Sequence, residues 1–239
     1  MTRERREEIL GALHCRRLLD LASGSGDFIL KLIEAGAALK GIVAVDIDHR
    51  WLDEGRGRPR GRTVHRLVAD GRRLPFTQSS FDCVSIANGM HHFEDPATVL
   101  REARRVLNPG GRLLIDEISS SGLAPAQANR HAYHTLSAEL DRATGSVHHP
   151  ALTDDEITDL VETAGFSIQR GISYTPLFEG DYTAHINLRL NRLEERIRDA
   201  ALDDARRADF LRCLTELRRA IRRRGVQPQP QFICLARSG

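Results

Sequence analysis

Lysine is almost missing from this chain. Lys31 and Lys40 are its only lysines, while lysine and arginine together number 35. The positive charge is therefore carried by arginine, a bias that reads more readily as the codon usage of a GC-rich genome than as function. The formal net charge is only +2, which leaves no electrostatic footprint for a nucleic-acid partner. The four cysteines, Cys15, Cys83, Cys213 and Cys234, form no C-x-x-C pair and no knot-like spacing. That excludes a disulfide framework, and reduced thiols filling a core are expected. No apolar run is long enough for a membrane span. The opening residues, Met1 to Glu8, mix both charges and lack the apolar segment of a signal peptide. A cytoplasmic protein is expected, with 239 residues in one large domain or one domain plus an appendage.

One further absence matters. Leu18–Leu30 reads as a buried parallel strand, a glycine turn and the first turn of a helix. Gly24 and Gly26 let a ligand approach the backbone, and the helix start offers free N–H groups. The dinucleotide fingerprint needs a third glycine at 29, where this chain has Ile29. On its own the stretch is also what an ordinary tight βα turn looks like.

The rest of the first half repeats the alternation. A lead-in helix is expected over 3–14, then strands over 18–22, 41–46, 63–69, 81–88 and 112–117. Helices are expected after Gly26, over 49–55 and from Pro96, with loops at 57–61 and at Asn108–Gly111. Such alternation implies a doubly wound parallel sheet, which binds ligands outside the carboxyl ends of its strands. Asp46, Asp70 and Asn88 all fall at that edge. Asp46 lies about twenty residues past the glycine turn, where a carboxylate meets the two hydroxyls of a ribose. Asp48 suits the capping of the next helix instead.

Five segments in order, LDLASGSGD (19–27), VAVDID (43–48), ADGRRLPF (69–76), SFDCVSIANGMHH (80–92) and LREARRVLNPGGRLLIDE (100–117), resemble the class I S-adenosylmethionine-dependent methyltransferases. Within them the chain is most similar to the ubiquinone/menaquinone C-methyltransferase-like (methyltransferase type 11) group. The resemblance implies a Rossmann-like α/β fold: a doubly wound seven-stranded sheet, mostly parallel, with an antiparallel edge strand and a helical insertion. It also implies S-adenosyl-L-methionine as cofactor and S-adenosyl-L-homocysteine as product. Ala22, Ser23, Gly24 and Gly26 would line the methionine part. Asp46 would hold the ribose, Ile47 would lie against the adenine, and Asp70 would accept from the adenine amino group beside Gly71. Asn88 and Gly89 would border the sulfonium. The expected activity is transfer of a methyl group to a small-molecule acceptor by in-line displacement. The competing reading is a non-catalytic or regulatory protein that binds the same cofactor.

The second half departs from the quinone-biosynthesis pattern, so no acceptor carries over. A helix over 124–144 bears His131 and His134 on one face, with His148 and His149 shortly after. In the resembling fold the segment after strand five covers the active site, so 117–150 is expected to be a helical cover within a single 1–239 methyltransferase domain. His91, His92, His134 and His148 are the catalytic candidates, since a histidine of near-neutral pKa suits removal of a substrate proton. Surface or loop histidines are the plainer reading. The histidine spacing defines no metal site. A capping box at Thr153–Glu156 opens a helix, followed by strands over 166–174 and 231–236. Between those strands, apolar residues at helical spacing predict a hairpin over 182–224. It is either part of a lid or an arm for a homodimer, and its arginines form a solvated face.

Overall fold

The structure is a computed structural model. It describes residues 2–57, 59 and 61–239, so Arg58 and Arg60 of the expected 57–61 loop lie outside the described residues. The chain divides into two compact units, one of residues 1–117, 154–174 and 232–239, the other of 118–153 and 175–231.

The first unit is built on the sheet. Its strands are β1 (His14–Leu21), β2 (Ala38–Asp46), β3 (Val64–Val68), β4 (Phe81–Ala87), β5 (Leu107–Ile118), β6 (Phe166–Tyr174) and β7 (Gln231–Ser238). They lie in the order β3-β2-β1-β4-β5-β7-β6. The first five are parallel, β1 pairing with both β2 and β4, and the last two form the antiparallel edge. The strand order reverses between β1 and β4. In an open α/β sheet that switch point is where the crevice for a ligand opens.

Helices α1 (Thr2–Gly11) and α2 (Asp27–Glu34) cover one face of this sheet. Ile9, Leu10, Leu13, Phe28, Ile29 and Leu32 share a core there with Leu18, Ile42, Cys83 and Leu114. Short α3 (His49–Glu54) follows β2, and α4 (Pro96–Val106) packs on α6 (Asp154–Thr163). Asp48 caps α3 as expected, accepting from Arg50 N–H, and Asp95 caps α4, accepting from Thr98 N–H.

Three local expectations shift. The lead-in helix stops at Gly11, where a Cβ would lie 2.5 Å from the Ala35 carbonyl oxygen. Strands β1 and β2 begin earlier than their apolar runs. His14 and Arg17 are exposed yet still pair in the ladder, because pairing uses the backbone while the apolar run marks only the buried stretch. Asn108–Gly111, expected as a turn, is an irregularity within β5. Phe81 pairs with Leu107 and Cys83 with Arg112, and Gly110 takes φ +70° between them.

The second unit is helical. The predicted hairpin is α7 (Tyr182–Asp199) and α8 (Asp204–Arg224), with Asp181 and Asp203 as N-caps. Both pack on α5 (Pro125–Ala143). Ile186, Leu190, Leu193 and Ile197 of α7 and Phe210, Leu214, Leu217 and Ile221 of α8 bury together with Leu136 and Leu140 of α5. The apolar stripes of the hairpin are thus consumed inside the unit, and a second copy would meet mainly charged surface. Arg198 and Arg218 both pair with Glu194 on that surface, contacts of a kind worth up to about 1 kcal/mol.

Candidate functional site

The glycine turn after β1 is held open by its own backbone. Ala22 sits at φ +50° and Gly24 at +53°, and Gly26 at +84° is the N-cap of α2. A non-glycine residue at positive φ is uncommon and costs backbone strain, which concentrates at binding loops. Ser23 N–H donates to Val45 O at 3.0 Å, and Gly26 N–H to Ser23 O at 2.9 Å. A Cβ on Gly24 would meet nothing within 4 Å, so the turn faces open space.

Asp46 ties this turn to the end of β2. One carboxylate oxygen accepts from Gly24 N–H at 2.9 Å, the other from Asp48 N–H at 3.0 Å. A carboxylate offers about four lone-pair positions, so two remain for a diol. Next to it Ile47 is 69% exposed and Val68, at the end of β3, is 53% exposed, an apolar surface at the edge suited to a flat aromatic ring. Asp70 accepts from Arg72 N–H at 2.9 Å and pairs with its guanidinium, which lowers its pKa. Arg72 also pairs with Glu94.

After β4 the backbone crosses close to the glycine turn. Asn88 takes φ +47° and its N–H donates to Asp116 O at 2.9 Å. A Cβ on Gly89 would fall 2.7 Å from that of Ala22, so the loops after β1 and β4 abut at the switch point only because residue 89 has none. The two segments singled out in the sequence are therefore neighbours in space. Gly71 lies against Val99, its added Cβ 3.3 Å away.

Three buried polar groups here were not foreseen. Asp20, in mid-strand, accepts from Ser85 Oγ at 2.5 Å. Its Oδ2 and the Ser23 hydroxyl are buried without a hydrogen-bond partner among the described residues. Burial pushes the Asp20 carboxyl up to about 6, against the pull of Ser85 and Ser23, and nearby Asp46 adds to the rise. Asp116 accepts from Tyr174 O–H at 2.7 Å and from Arg6 at 3.0 Å, and Arg6 Nε also donates to Tyr174 Oη at 2.7 Å. Burial raises the Asp116 pKa and Arg6 opposes it. Glu117, fully buried on the other face, accepts from Met90 N–H at 2.7 Å and meets His91 Nδ1 at 2.8 Å. A charged residue inside an apolar strand was the available signal for Asp20, since such residues are rarely buried without purpose. Arg6 and Tyr174, 168 residues apart, left no local signal.

The four catalytic candidates differ in setting. His91 is buried, and its Nδ1 lies 2.8 Å from a Glu117 carboxyl oxygen. His92 is exposed, its ring 4.2 Å from that of His91. In the second unit His134 and His148 are buried and joined through their Nε2 atoms at 3.1 Å. His131, one turn from His134, instead meets Gln229 at 3.2 Å, and burial lowers its pKa. His149 is exposed.

The model of the ubiE/COQ5 methyltransferase family matches residues 1–188. The ubiquinone/menaquinone biosynthesis C-methyltransferase UbiE of Proteus mirabilis strain HI4320 is 32% identical over 195 residues, 74% of this chain and 76% of that protein. UbiE of Serratia proteamaculans strain 568 is 37% identical over 127 residues, 52% of this chain and 51% of that protein. The chain thus spans about half the length of some of the curated relatives it matches. Among solved structures, an S-adenosylmethionine-dependent methyltransferase of Mesorhizobium loti superposes with TM-score 0.58 at 18% identity, covering 99% of this chain and 98% of that one. The [4+2]-cyclase SpnF superposes with TM-score 0.57 at 17% identity, covering 98% and 81%. These likenesses establish the fold, and one fold hosts different chemistries.

Proposed function

The chain belongs to the ubiE/COQ5 methyltransferase family, and from that premise we propose that it transfers a methyl group from S-adenosyl-L-methionine to a small-molecule acceptor. The observation that carries this reading is the polar inventory at the switch point. The glycine turn faces open space, Asp46 has acceptor capacity to spare, and Asp20 Oδ2 and Ser23 Oγ are buried and unsatisfied beside the turn. Buried polar atoms are normally satisfied, so the two orphans fit a site completed by a polar ligand.

Bound S-adenosyl-L-methionine supplies a sulfonium methyl, an electrophile that needs an aligned nucleophile more than it needs activation. In this reading Ala22, Ser23, Gly24 and Gly26 line the methionine part, and Asp20 accepts from its ammonium group. Asp46 holds the ribose hydroxyls, Ile47 covers the adenine, and Asp70 with Gly71 borders the adenine amino group. Asn88 and Gly89 border the sulfonium. His91, held by Glu117, is the candidate in this unit for taking a proton from an acceptor. Choice of acceptor is assigned to the second unit, because segments 117–150 and 182–224 lie almost wholly outside the five motifs that carry the resemblance.

Calorimetry with S-adenosylmethionine and S-adenosylhomocysteine tests the common part. Binding is expected, with loss in Asp46→Ala; no binding at millimolar ligand refutes the proposal. Mass detection of a methylated product in a metabolite extract separates enzyme from binding protein, and binding without any product favours the latter. A cytoplasmic location is supported by four free cysteines, three of them buried. Among the described residues no helix is long and apolar enough to cross a membrane. Sedimentation decides the expected homodimer, which would have to use the arginine face of α7 and α8.

A further inference from the structure

We propose that His134 and His148 form a binding site for a divalent transition-metal ion within the second unit. The two Nε2 atoms lie 3.1 Å apart. Two imidazole nitrogens sharing one tetrahedral zinc ion lie about 3.3 Å apart at ordinary bond lengths. A shift of a few tenths of an ångström therefore separates this pair from a ligating pair.

The surroundings are built as such ligands usually are. His148 Nδ1 meets Asp141 Oδ2 at 2.6 Å, and Arg196 holds the other oxygen of that carboxylate. An anionic carboxylate on Nδ1–H fixes the tautomer that leaves the Nε2 lone pair outward, and it raises the basicity of that nitrogen. Metal-bound histidines are oriented in this way. The backbone carbonyl of His148 is held by Arg142 at 2.6 Å. The His148 ring and its loop are thus positioned before any ion arrives, and the proton that His134 Nε2 shares with His148 is released when the ion binds.

The local fold explains how residues 14 apart converge. Helix α5 ends at Ala143, and Gly145 at φ +89° turns the chain back. Gly145 N–H donates to Arg142 O and Ser146 N–H to Asp141 O, returning His148 to the helix face that carries His134. Asp141 pairs with both His148 and Arg196. Imidazole donors suit zinc, cobalt, nickel and copper in preference to magnesium or calcium. Two protein ligands leave further positions for water or an exogenous donor.

The proposal does not rest on methyl transfer, so its failure and that of the proposed function are separable. The test titrates chelator-treated full-length protein with Co2+ and Zn2+, reading visible absorption and calorimetric stoichiometry. One ion per chain is expected, with a melting temperature that rises with zinc concentration. His134→Ala and His148→Ala each abolish it, His149→Ala keeps it, and Asp141→Asn weakens it by about 10- to 100-fold. No binding near one equivalent overturns the site and leaves a pair that only shares a proton. So does binding that survives the double variant His134→Ala/His148→Ala. Should either alanine variant fail to fold, wild-type melting without response to zinc overturns it equally.

Discussion

Asp20→Asn separates the cost of this site from its use. The Asp20 carboxyl titrates at about 6 in the fold, against an ordinary value near 3.8, because it is fully buried and only partly satisfied. A carboxyl raised by folding favours the protonated form, so the unfolded chain releases that proton first as pH rises. Below about pH 4 both states are protonated and Asp20 exerts no penalty. Between about pH 4 and pH 6 the penalty grows, and above that the folded state carries it in full. At 1.36 kcal/mol per pH unit, displacement from 3.8 to about 6 amounts to about 3 kcal/mol. Asparagine keeps an acceptor for Ser85 but does not titrate. Its own packing and hydrogen-bond cost is a constant offset. The stability of the variant minus that of the wild type is therefore expected to rise by about 2.5 kcal/mol from pH 4 to pH 7. Urea melts at several pH values, without cofactor, measure it. A flat difference, or one that falls with pH, refutes the account of Asp20. The same variant is expected to bind S-adenosylmethionine more weakly, giving up affinity where it gains stability.

Gly89→Ala places a methyl 2.7 Å from the Ala22 Cβ and 3.3 Å from Ile86. Overpacking of this kind costs about 1–3 kcal/mol, so a lower melting temperature and weakened cofactor binding should appear together; an unchanged melt would contradict the close approach. Arg6→Ala strands the buried Asp116 and Tyr174, and breaking a buried pair costs about 3–5 kcal/mol. Restoring charge balance with Arg6→Ala/Asp116→Asn should recover part of that loss in the same urea melts. Glu117→Gln leaves a neutral side chain opposite His91 Nδ1. Lowered turnover with unchanged cofactor affinity is expected, and equal turnover would remove His91 from the mechanism.

What could be read from the sequence was what short-range physics determines. The glycine turn, Asp46 and Asp48 act across loops of a few residues, and their spacing alone located the carboxyl edge. The hairpin over 182–224 followed from helical periodicity, because eight apolar residues sit where a buried stripe requires them. Its packing partner did not follow, since α5 presents Leu136 and Leu140 some 50 residues earlier. His131 and His134 share a helical turn yet meet different partners, because the turn at Gly145 brings back His148 and not His149. The Arg6–Tyr174–Asp116 network joins three elements that no spacing connects. Asn108–Gly111 has the composition of a turn, but β4 pairs on both sides of it and absorbs it as a bulge.

The electrostatics of the glycine turn account for the missing third glycine better than sterics do. Helix α2 begins at Gly26 with no side chain capping it, so its first N–H groups favour a negative group. Six residues earlier, Asp20 has a buried carboxylate oxygen that makes no well-formed hydrogen bond among the described residues, with the Ser23 hydroxyl nearby, which favours a positive one. A pyrophosphate would gain from the first feature and be repelled by the second. An α-amino acid is matched by both, its carboxylate at the helix start and its ammonium at Asp20. Asp116, by contrast, is compensated by Arg6 and Tyr174, and Asp46 by two backbone N–H groups. Of Asp20, Asp46 and Asp116, only Asp20 keeps a buried oxygen without a hydrogen-bond partner among the described residues. A zwitterionic ligand is therefore expected to bind this turn in preference to a dinucleotide, and calorimetry with S-adenosylmethionine against NAD checks it; equal binding of the two would refute the electrostatic account.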